Sequence, residues 1–208
     1  MAEQGALKAV KFGPHSPDKA VSVSIRRHIG IGNILAIAAA AALLWMLPLA
    51  EAQTSPPGEY QVKAVYLYNF GKFVTWPAGA GSGNSFVICV LGHDPFGDSL
   101  DRTIAGDSIN SQQLVAKRIT TAREATGCRI LFVSDSEAAN LKQILIDVQK
   151  LPIVTVSDMP GFTAKGGMIQ FVLKENRVRF EVNLGPAERA GLTFSSQLLK
   201  VAAEVRNP

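Results

Sequence analysis

Histidine is scarce in this sequence of 208 residues, which contains three of them. His15 and His28 lie in the first 28 residues, so His93 is the sole histidine of the remaining chain. Only two cysteines are present, and no C-x-x-C pair occurs. Zinc and most transition-metal sites need several histidine or cysteine ligands close together. The composition therefore excludes a histidine-rich metal site.

A nucleophilic catalytic set is equally hard to assemble. A Ser-His-Asp arrangement would have to use His93, with Ser134 or Ser136 as the nucleophile and Asp94 or Asp158 as the orienting acid. No G-x-S-x-G segment is present, and nothing in the spacing fixes these side chains in space. We therefore predict that the protein is not an enzyme and has no cofactor.

Two glycine-containing segments lack the order that phosphate binding requires. Residues 161–167 lack the G-K-[ST] ending of a phosphate loop, so we interpret them as a tight loop entering a strand at Met168. The segment Gly92 to Gly97 has no G-x-G-x-x-G, which argues against a dinucleotide. Asp94 and Asp98 could hold a divalent ion, although carboxylates in turns are usually solvated.

A strong positive charge is also missing once the first 52 residues are set aside. Five of the 21 Lys and Arg and three of the 17 Asp and Glu lie there, so residues 53–208 carry 16 basic and 14 acidic side chains. That segment therefore has a net charge of +2, against +4 for the whole chain. It shows no basic stripe, and nucleic acid is not an expected partner.

The amino-terminal residues have the pattern of a secretory signal. A basic region ending at Arg26-Arg27-His28 precedes an apolar run from Ile29 to Leu49, and Ala50-Glu51-Ala52 has small residues where a signal peptidase cleaves. We predict a signal peptide over 1–52, a mobile lead-in over 53–58 and one domain over 59–208, in an exported protein. The alternative is an uncleaved membrane anchor, since the apolar run is about long enough to span.

Export would place the two cysteines, Cys89 and Cys128, in an oxidising environment. In an oxidising compartment such a pair predicts one disulfide, and two buried free thiols are the alternative. The bridge would close a loop of 39 positions, which the chain-entropy model equates with about 4 kcal/mol of stabilisation.

The run Phe86 to Leu91 is continuously apolar and bounded by turn residues, which is typical of a strand buried on both faces. Strands of that kind belong to parallel sheets covered by helices. The predicted fold is a single α/β domain with a mostly parallel sheet, an antiparallel edge hairpin and helices on both faces. The further predicted strands are 114–119, 128–133, 153–156, 168–173 and 178–183, the last two forming the hairpin.

Two predicted helices flank these strands. The first covers Glu59 to Trp76, with an apolar face formed by Val62, Tyr66, Phe70 and Phe73. Its narrower polar stripe includes Asn69 and Lys72. The last covers Ser196 to Val205, with Leu198, Leu199, Ala202 and Val205 directed inward. Shorter helical segments are predicted at 98–105 and after Ser134.

Seven residues are candidates for binding a ligand or partner. Ser195 or Ser196 occupies the N-cap of the last helix, where an anion could bind, although plain capping is the more common role. The other five lie on the first helix or in loops that follow strands: Asn69, Lys72, Asp94, Phe96 and Phe162. Exposed aromatic residues of the first helix could also dock a partner.

The ordered set of motifs resembles the YfiR family of periplasmic regulators. The similarity covers nearly all of residues 59–208, and no single motif is decisive. The matching stretches are Glu59–Ala64, Tyr68–Phe70, Lys72–Val74, Trp76–Pro77, Ile88–Gly92, Asp94–Gly97, Cys128–Ser134, Gly166–Ile169, Phe180–Asn183, Ala190–Leu192 and Ser195–Leu199.

This resemblance implies a protein that binds the periplasmic domain of an inner-membrane diguanylate cyclase and holds it inactive, so that cyclic di-GMP and biofilm formation stay low. It further implies an OmpA-like outer-membrane lipoprotein as a sequestering partner, and a homodimer. The positions of Cys89 and Cys128 match a disulfide of the family. Some members carry a second disulfide later in the chain, which this sequence lacks because no cysteine follows Cys128.

A sensor that binds a small molecule is the alternative hypothesis. Its pocket would be formed by the loops after the first and fourth predicted strands and by the N-terminus of the last helix.

Overall fold

The computed structural model describes residues 58–80 and 83–207. The predicted signal peptide (1–52) and residues 53–57 of the predicted lead-in lie outside the described residues. Among the helices that are described, none has both the length and the apolar character needed to cross a membrane.

Helices and strands alternate through the first two thirds of this region. The helices are α1 (Glu59–Phe73), α2 (Asp98–Ile104), α3 (Leu141–Val148), α4 (Leu184–Arg189) and α5 (Ser196–Val201). The strands are β1 (Val74–Thr75), β2 (Ser85–Leu91), β3 (Ser108–Ile109), β4 (Gln112–Ile119), β5 (Cys128–Val133), β6 (Val154–Ser157), β7 (Ile169–Lys174), β8 (Arg177–Asn183), β9 (Thr193–Phe194) and β10 (Glu204–Arg206). Short 3-10 helices occupy Ala122–Ala125 and Asp135–Asn140.

Eight strands form one sheet in the order β10-β8-β7-β6-β5-β2-β4-β3. The pairs β2–β4, β2–β5, β5–β6, β6–β7 and β8–β10 are parallel, whereas β7–β8 and β3–β4 are antiparallel. The predicted α/β class and mostly parallel sheet are confirmed. β2 lies inside the sheet between two parallel neighbours, which explains its continuous apolar sequence.

Side chains of β2 alternate between two hydrophobic cores, one on each face of the sheet. Ile88 and Val90 belong to the core that α1 and α2 cover. Cys89 and Leu91 belong to the opposite core, which α3 covers through Leu141, Ile144 and Val148. Helices on both faces were predicted and are present.

The predicted disulfide joins Cys89 to Cys128, with 5.9 Å between the two Cα atoms. The register of β2 and β5 shifts just after Cys128, because Val87 pairs with Cys128 and Ile88 pairs with Ile130. Such a bulge places the extra residue, Arg129, in β5 and increases the local twist. The bridge therefore ties two adjacent parallel strands at the centre of the domain.

The first helix is shorter than predicted. It ends at Phe73 instead of Trp76, because Val74 and Thr75 pair with Phe194 and Thr193 as a small antiparallel sheet. Its apolar face also differs from the prediction. Of the four residues predicted to face the core only Phe70 is fully buried, whereas Ala64 and Leu67 are buried and were not predicted.

The last helix is also shorter, ending at Val201. Ala202 adopts an extended conformation, and the Ala203 N–H donates to the carbonyl oxygen of Phe180 at 2.7 Å. The chain then continues as β10, parallel to β8. Val205 is therefore a strand residue, and the β7–β8 hairpin has a three-residue strand on its outer side.

The glycine-rich segment 161–167 is a tight loop before β7, in agreement with the interpretation from sequence. The Gly167 N–H donates to the Phe162 carbonyl at 2.9 Å, and the Phe162 ring is fully buried directly against Gly167. A Cβ atom at position 167 would overlap that ring.

Gly167→Ala is therefore expected to lower the free energy of unfolding by about 3 kcal/mol, because a buried ring cannot move aside without repacking. Urea denaturation measures the effect. Gly83→Ala is the control, since among the described residues no atom other than those of its chain neighbours lies within 4 Å of the added methyl group. The control should stay within about 0.5 kcal/mol of the parent. Equal losses in both variants would contradict the overlap as the cause.

Candidate functional site

Two of the predicted binding residues lie on α1 near its carboxyl end. Asn69 is partly buried and Lys72 is exposed, with Lys72 Nζ 4.0 Å from the centroid of the Tyr68 ring. Asn69 lines a groove of about 310 Å³ between α1 and α5. The structure thus places Asn69 at a surface where a second molecule could be held.

Aromatic and aliphatic side chains form most of this groove. Phe70 packs against Phe180 edge to face at 5.1 Å and stacks with Tyr66 at 6.0 Å. Val201 on α5 is 54% exposed. The described residues that line this groove, which we call the α1–α5 groove, are Tyr66, Asn69, Phe70, Phe73, Phe180, Gln197, Leu198 and Val201. An apolar lining with two side-chain amides can bind an apolar group and fix its orientation.

Ser195 caps α5, because its Oγ accepts a hydrogen bond from the Leu198 N–H at 3.2 Å. Its own N–H donates to the Phe73 carbonyl at 2.9 Å, which joins the start of α5 to the end of α1. Ser196 is the first residue of α5 and is exposed. Ser195 therefore has the plain capping role, and it holds the two walls of the α1–α5 groove together.

Asp94 and Phe96 lie after β2, at the carboxyl edge of the parallel strands. Asp94 Oδ1 accepts from the Phe96 N–H at 2.8 Å, and Asp94 Oδ2 accepts from Arg118 Nε at 2.8 Å. Arg118 also donates to Asp101, and this hydrogen bond holds the pKa of the Asp101 carboxyl below its usual range. Both oxygens of Asp94 are thus engaged in fixing the loop. Within the described residues, no cluster of three or more His, Cys, Asp or Glu could hold a metal ion.

Two aromatic candidates turn out to be core residues. Phe96 is 3% exposed and packs edge to face on Phe132 at 4.8 Å, and Phe162 is fully buried. Neither ring is accessible to a partner in this structure. Burial of these rings instead anchors the loops that follow β2 and β6.

A charged cluster at the amino end of α1 was not predicted. Lys63 is only 3% exposed, and its Nζ lies 2.6 Å from Asp158 Oδ2 and 2.5 Å from Glu59 Oε1. The Tyr60 hydroxyl donates to the same Asp158 oxygen at 2.9 Å. Burial, together with this hydrogen bond, raises the pKa of the Tyr60 phenol above its ordinary value. The spacing of Glu59 and Lys63 by four residues was a detectable signal, but Asp158 is 95 residues further along.

This cluster joins α1 to the loop after β6 and lines a cleft of about 350 Å³ with Gln170 and Phe171. Tyr60 also packs against Phe96 at 5.5 Å, so the loops after β2 and β6 meet at the start of α1. The N-terminus of α5 contacts the other end of α1, at Phe73. Since a helix rises 1.5 Å per residue, Tyr60 and Phe73 are about 20 Å apart along its axis. The single pocket expected from these two loops and the last helix is therefore not formed.

The side chains considered for catalysis are not arranged for it. Ser136 Oγ accepts a hydrogen bond from the backbone N–H of His93 at 2.9 Å, and the two carboxylates belong to the Arg118 and Lys63 clusters. In the part of the chain that the structure describes, neither Asp94 nor Asp158 hydrogen bonds to the His93 ring. Ser136, Asp94 and Asp158 therefore do not form a Ser-His-Asp set with His93 within the described residues.

Comparison with known proteins adds a family match. A family model described as YfiR/HmsC-like matches residues 60–203. A conserved domain protein from Vibrio cholerae O1 biovar El Tor is similar in structure at 12% identity with a TM-score of 0.47, covering 73% of this chain and 62% of that one. The ABC domain in complex with L-Trp from Streptococcus pneumoniae is similar at 12% identity with a TM-score of 0.44, covering 61% and 57%. The chain spans less than two thirds of either solved protein, and likenesses at this level have no bearing on function.

Proposed function

Because this chain belongs to the YfiR/HmsC-like family of regulators of diguanylate cyclase signalling, we propose that it is a periplasmic protein that binds the periplasmic domain of an inner-membrane diguanylate cyclase and represses it. Repression by contact keeps cyclic di-GMP low and limits biofilm formation. The family is one of regulators and not of catalysts.

The α1–α5 groove is the observation that supports a binding role most directly. It combines an apolar lining with the half-exposed Val201, and it has Asn69 and Gln197 at the surface. Lys72 and Lys200 are exposed one helical turn beyond these two amides. We assign the groove to an amphipathic segment of the cyclase whose apolar side chains enter it and whose acidic side chains meet the two lysines.

Repression then follows from differential binding. If the groove holds the cyclase segment only in the inactive arrangement, binding shifts the cyclase towards that arrangement by the difference between the two affinities. An OmpA-like lipoprotein that binds the same groove would release the cyclase by competition. A homodimer would present two grooves and could engage a dimeric cyclase through both.

Val201→Glu tests this assignment, because a carboxylate in an apolar groove opposes entry of an apolar segment. We expect at least a ten-fold loss of affinity for the purified periplasmic domain of the cyclase, measured by calorimetry. Cells carrying this variant should also have the raised cyclic di-GMP of a deletion strain. Val65→Glu is the matched control, since Val65 is helical, 48% exposed and outside the groove.

The control should retain both binding and repression. Loss of binding in both variants, or in neither, would contradict the groove as the contact surface.

A sensor that binds a small molecule is the second candidate function, because the groove volume of about 310 Å³ lies at the lower end of the range for small-molecule pockets. Under that alternative a small ligand raises the melting temperature of the parent but not of Val201→Glu.

A further inference from the structure

A second cleft, of about 220 Å³, lies away from the α1–α5 groove, between α3, α4 and the loop before β7. α3 runs back from the carboxyl edge of the sheet, so its last turn is at the amino edge of the parallel strands. The loop before β7 and the start of α4 reach the same edge, because β8 is antiparallel to β7. Residues from three separate elements therefore converge on this cleft, which neither the cyclase contact nor the Lys63 cluster uses.

Three cationic side chains line the cleft: Lys142, Lys165 and Arg189. No aspartate or glutamate is among the described residues that line it. Over residues 58–80 and 83–207, none of the three cations takes part in a salt bridge. The Asp147 carboxylate, next to this surface on α3, accepts a hydrogen bond from Gln143 at 2.7 Å. The lining described for this cleft thus carries three cationic side chains and no carboxylate, which favours an anion.

The wall beneath these cations is apolar. Leu145 is partly buried, Met168 is buried, and Pro186 is partly buried. The Thr155 hydroxyl accepts from the Met168 N–H at 3.1 Å, so the backbone at the base of the cleft is already satisfied. Such a wall holds a hydrocarbon group, whereas a site for a bare inorganic ion would surround it with hydrogen-bond donors.

We propose that this cleft binds a small organic anion, with a phosphate or carboxylate group at the three cations and a compact apolar body against Leu145, Met168 and Pro186. The volume fits a body of about one ring. The site would give the protein an input separate from its cyclase contact. Occupancy would tie α3 and α4 to the loop between them and stabilise the folded state by mass action.

Phenyl phosphate is the probe ligand. Inorganic phosphate and phenol are the comparison ligands, since each represents one half of the probe. Titration followed by amide NMR on the purified protein should show saturable shifts at Gly166 with phenyl phosphate. Inorganic phosphate and phenol should each bind at least ten-fold more weakly. Affinity for phenyl phosphate should fall as salt rises from 50 to 300 mM, which shortens the screening length about 2.4-fold, because the contact is partly ionic.

The double variant Lys142→Gln with Lys165→Gln should weaken binding of phenyl phosphate at least ten-fold. Lys117→Gln with Lys174→Gln is the matched control, since it removes the same charge from two exposed lysines that line neither the cleft nor the α1–α5 groove. The control should change affinity less than two-fold. Equal weakening in both variants, equal affinity for phosphate and phenyl phosphate, or no saturable shift at Gly166 would each overturn the proposal. Cyclase binding is measured separately and is expected to survive in the cleft variant.

Discussion

Removal of the disulfide by Cys89→Ala with Cys128→Ala is expected to lower the free energy of unfolding by about 4 kcal/mol. The bridge spans 39 positions and restricts the unfolded chain, so most of its effect is on the unfolded state. Both cysteines are buried between central strands, and loss of the sulfur atoms adds a packing term of the same sign. Urea denaturation should show a lower midpoint together with a steeper dependence on urea, since a chain without the cross-link exposes more surface on unfolding.

The single variants provide the control for this prediction. Cys89→Ala and Cys128→Ala each break the same bridge, so each should lose nearly as much stability as the double variant. Their effects are then strongly non-additive, as expected for two residues that act as one unit. Small and additive losses, with an unchanged dependence on urea, would show that the bridge contributes little to the stability of this domain.

The inner strands could be predicted because their continuously apolar sequences require burial on both faces of the sheet. Phe86–Leu91 and Cys128–Val133 are apolar at every position except Arg129, and a parallel strand covered on both faces is the structure that buries such a run. The β7–β8 hairpin was also predictable, since alternation of Val178, Phe180 and Val182 with charged residues sets its buried face. Both patterns are local, and tertiary contacts reinforce them.

The predictions that were wrong concern features set by residues far away in sequence. The end of α1 is set by pairing of Val74 with Phe194, and the end of α5 by the bond from Ala203 to Phe180. The inward face of α1 contains a lysine, which a hydrophobic pattern assigns to the surface. Local periodicity therefore predicted the face of Tyr66 and Phe73 as the buried face of α1. In the structure these two rings line the α1–α5 groove.

Only part of the candidate site could be predicted, because its two walls come from residues distant in sequence. Asn69 lies on a polar stripe of α1, and that stripe was readable, but the opposite wall of its groove comes from α5, more than 120 residues later. Phe96 and Phe162 follow strands, where ligand-binding residues are common in α/β folds. Sequence could not show that both rings turn back into the core, because an aromatic residue in a loop serves either role.

Lys63→Met is expected to lower the free energy of unfolding by about 3 kcal/mol, because it leaves the carboxylate of Asp158 without its closest cation in a largely buried position. Methionine keeps the apolar stem of the side chain, so the loss reports the charge and not the packing. Arg102→Met is the matched control. It breaks an exposed pair with Asp98, in which the side chains are 64% and 87% exposed, and should cost less than about 0.5 kcal/mol.

The double variant Lys63→Met with Asp158→Leu separates the two parts of this effect. If the loss in Lys63→Met comes from an uncompensated carboxylate, removing that carboxylate should recover most of the stability, although the Tyr60 hydroxyl then loses its acceptor. A double variant as unstable as Lys63→Met would mean that the uncompensated carboxylate is not the source of the lost stability.

Because Lys63 fixes the start of α1 and Ser195 fixes its end, a loosened helix would also widen the α1–α5 groove. If the groove is the cyclase contact that we propose, Lys63→Met should weaken that contact without changing any residue of the groove, whereas Arg102→Met should leave it intact.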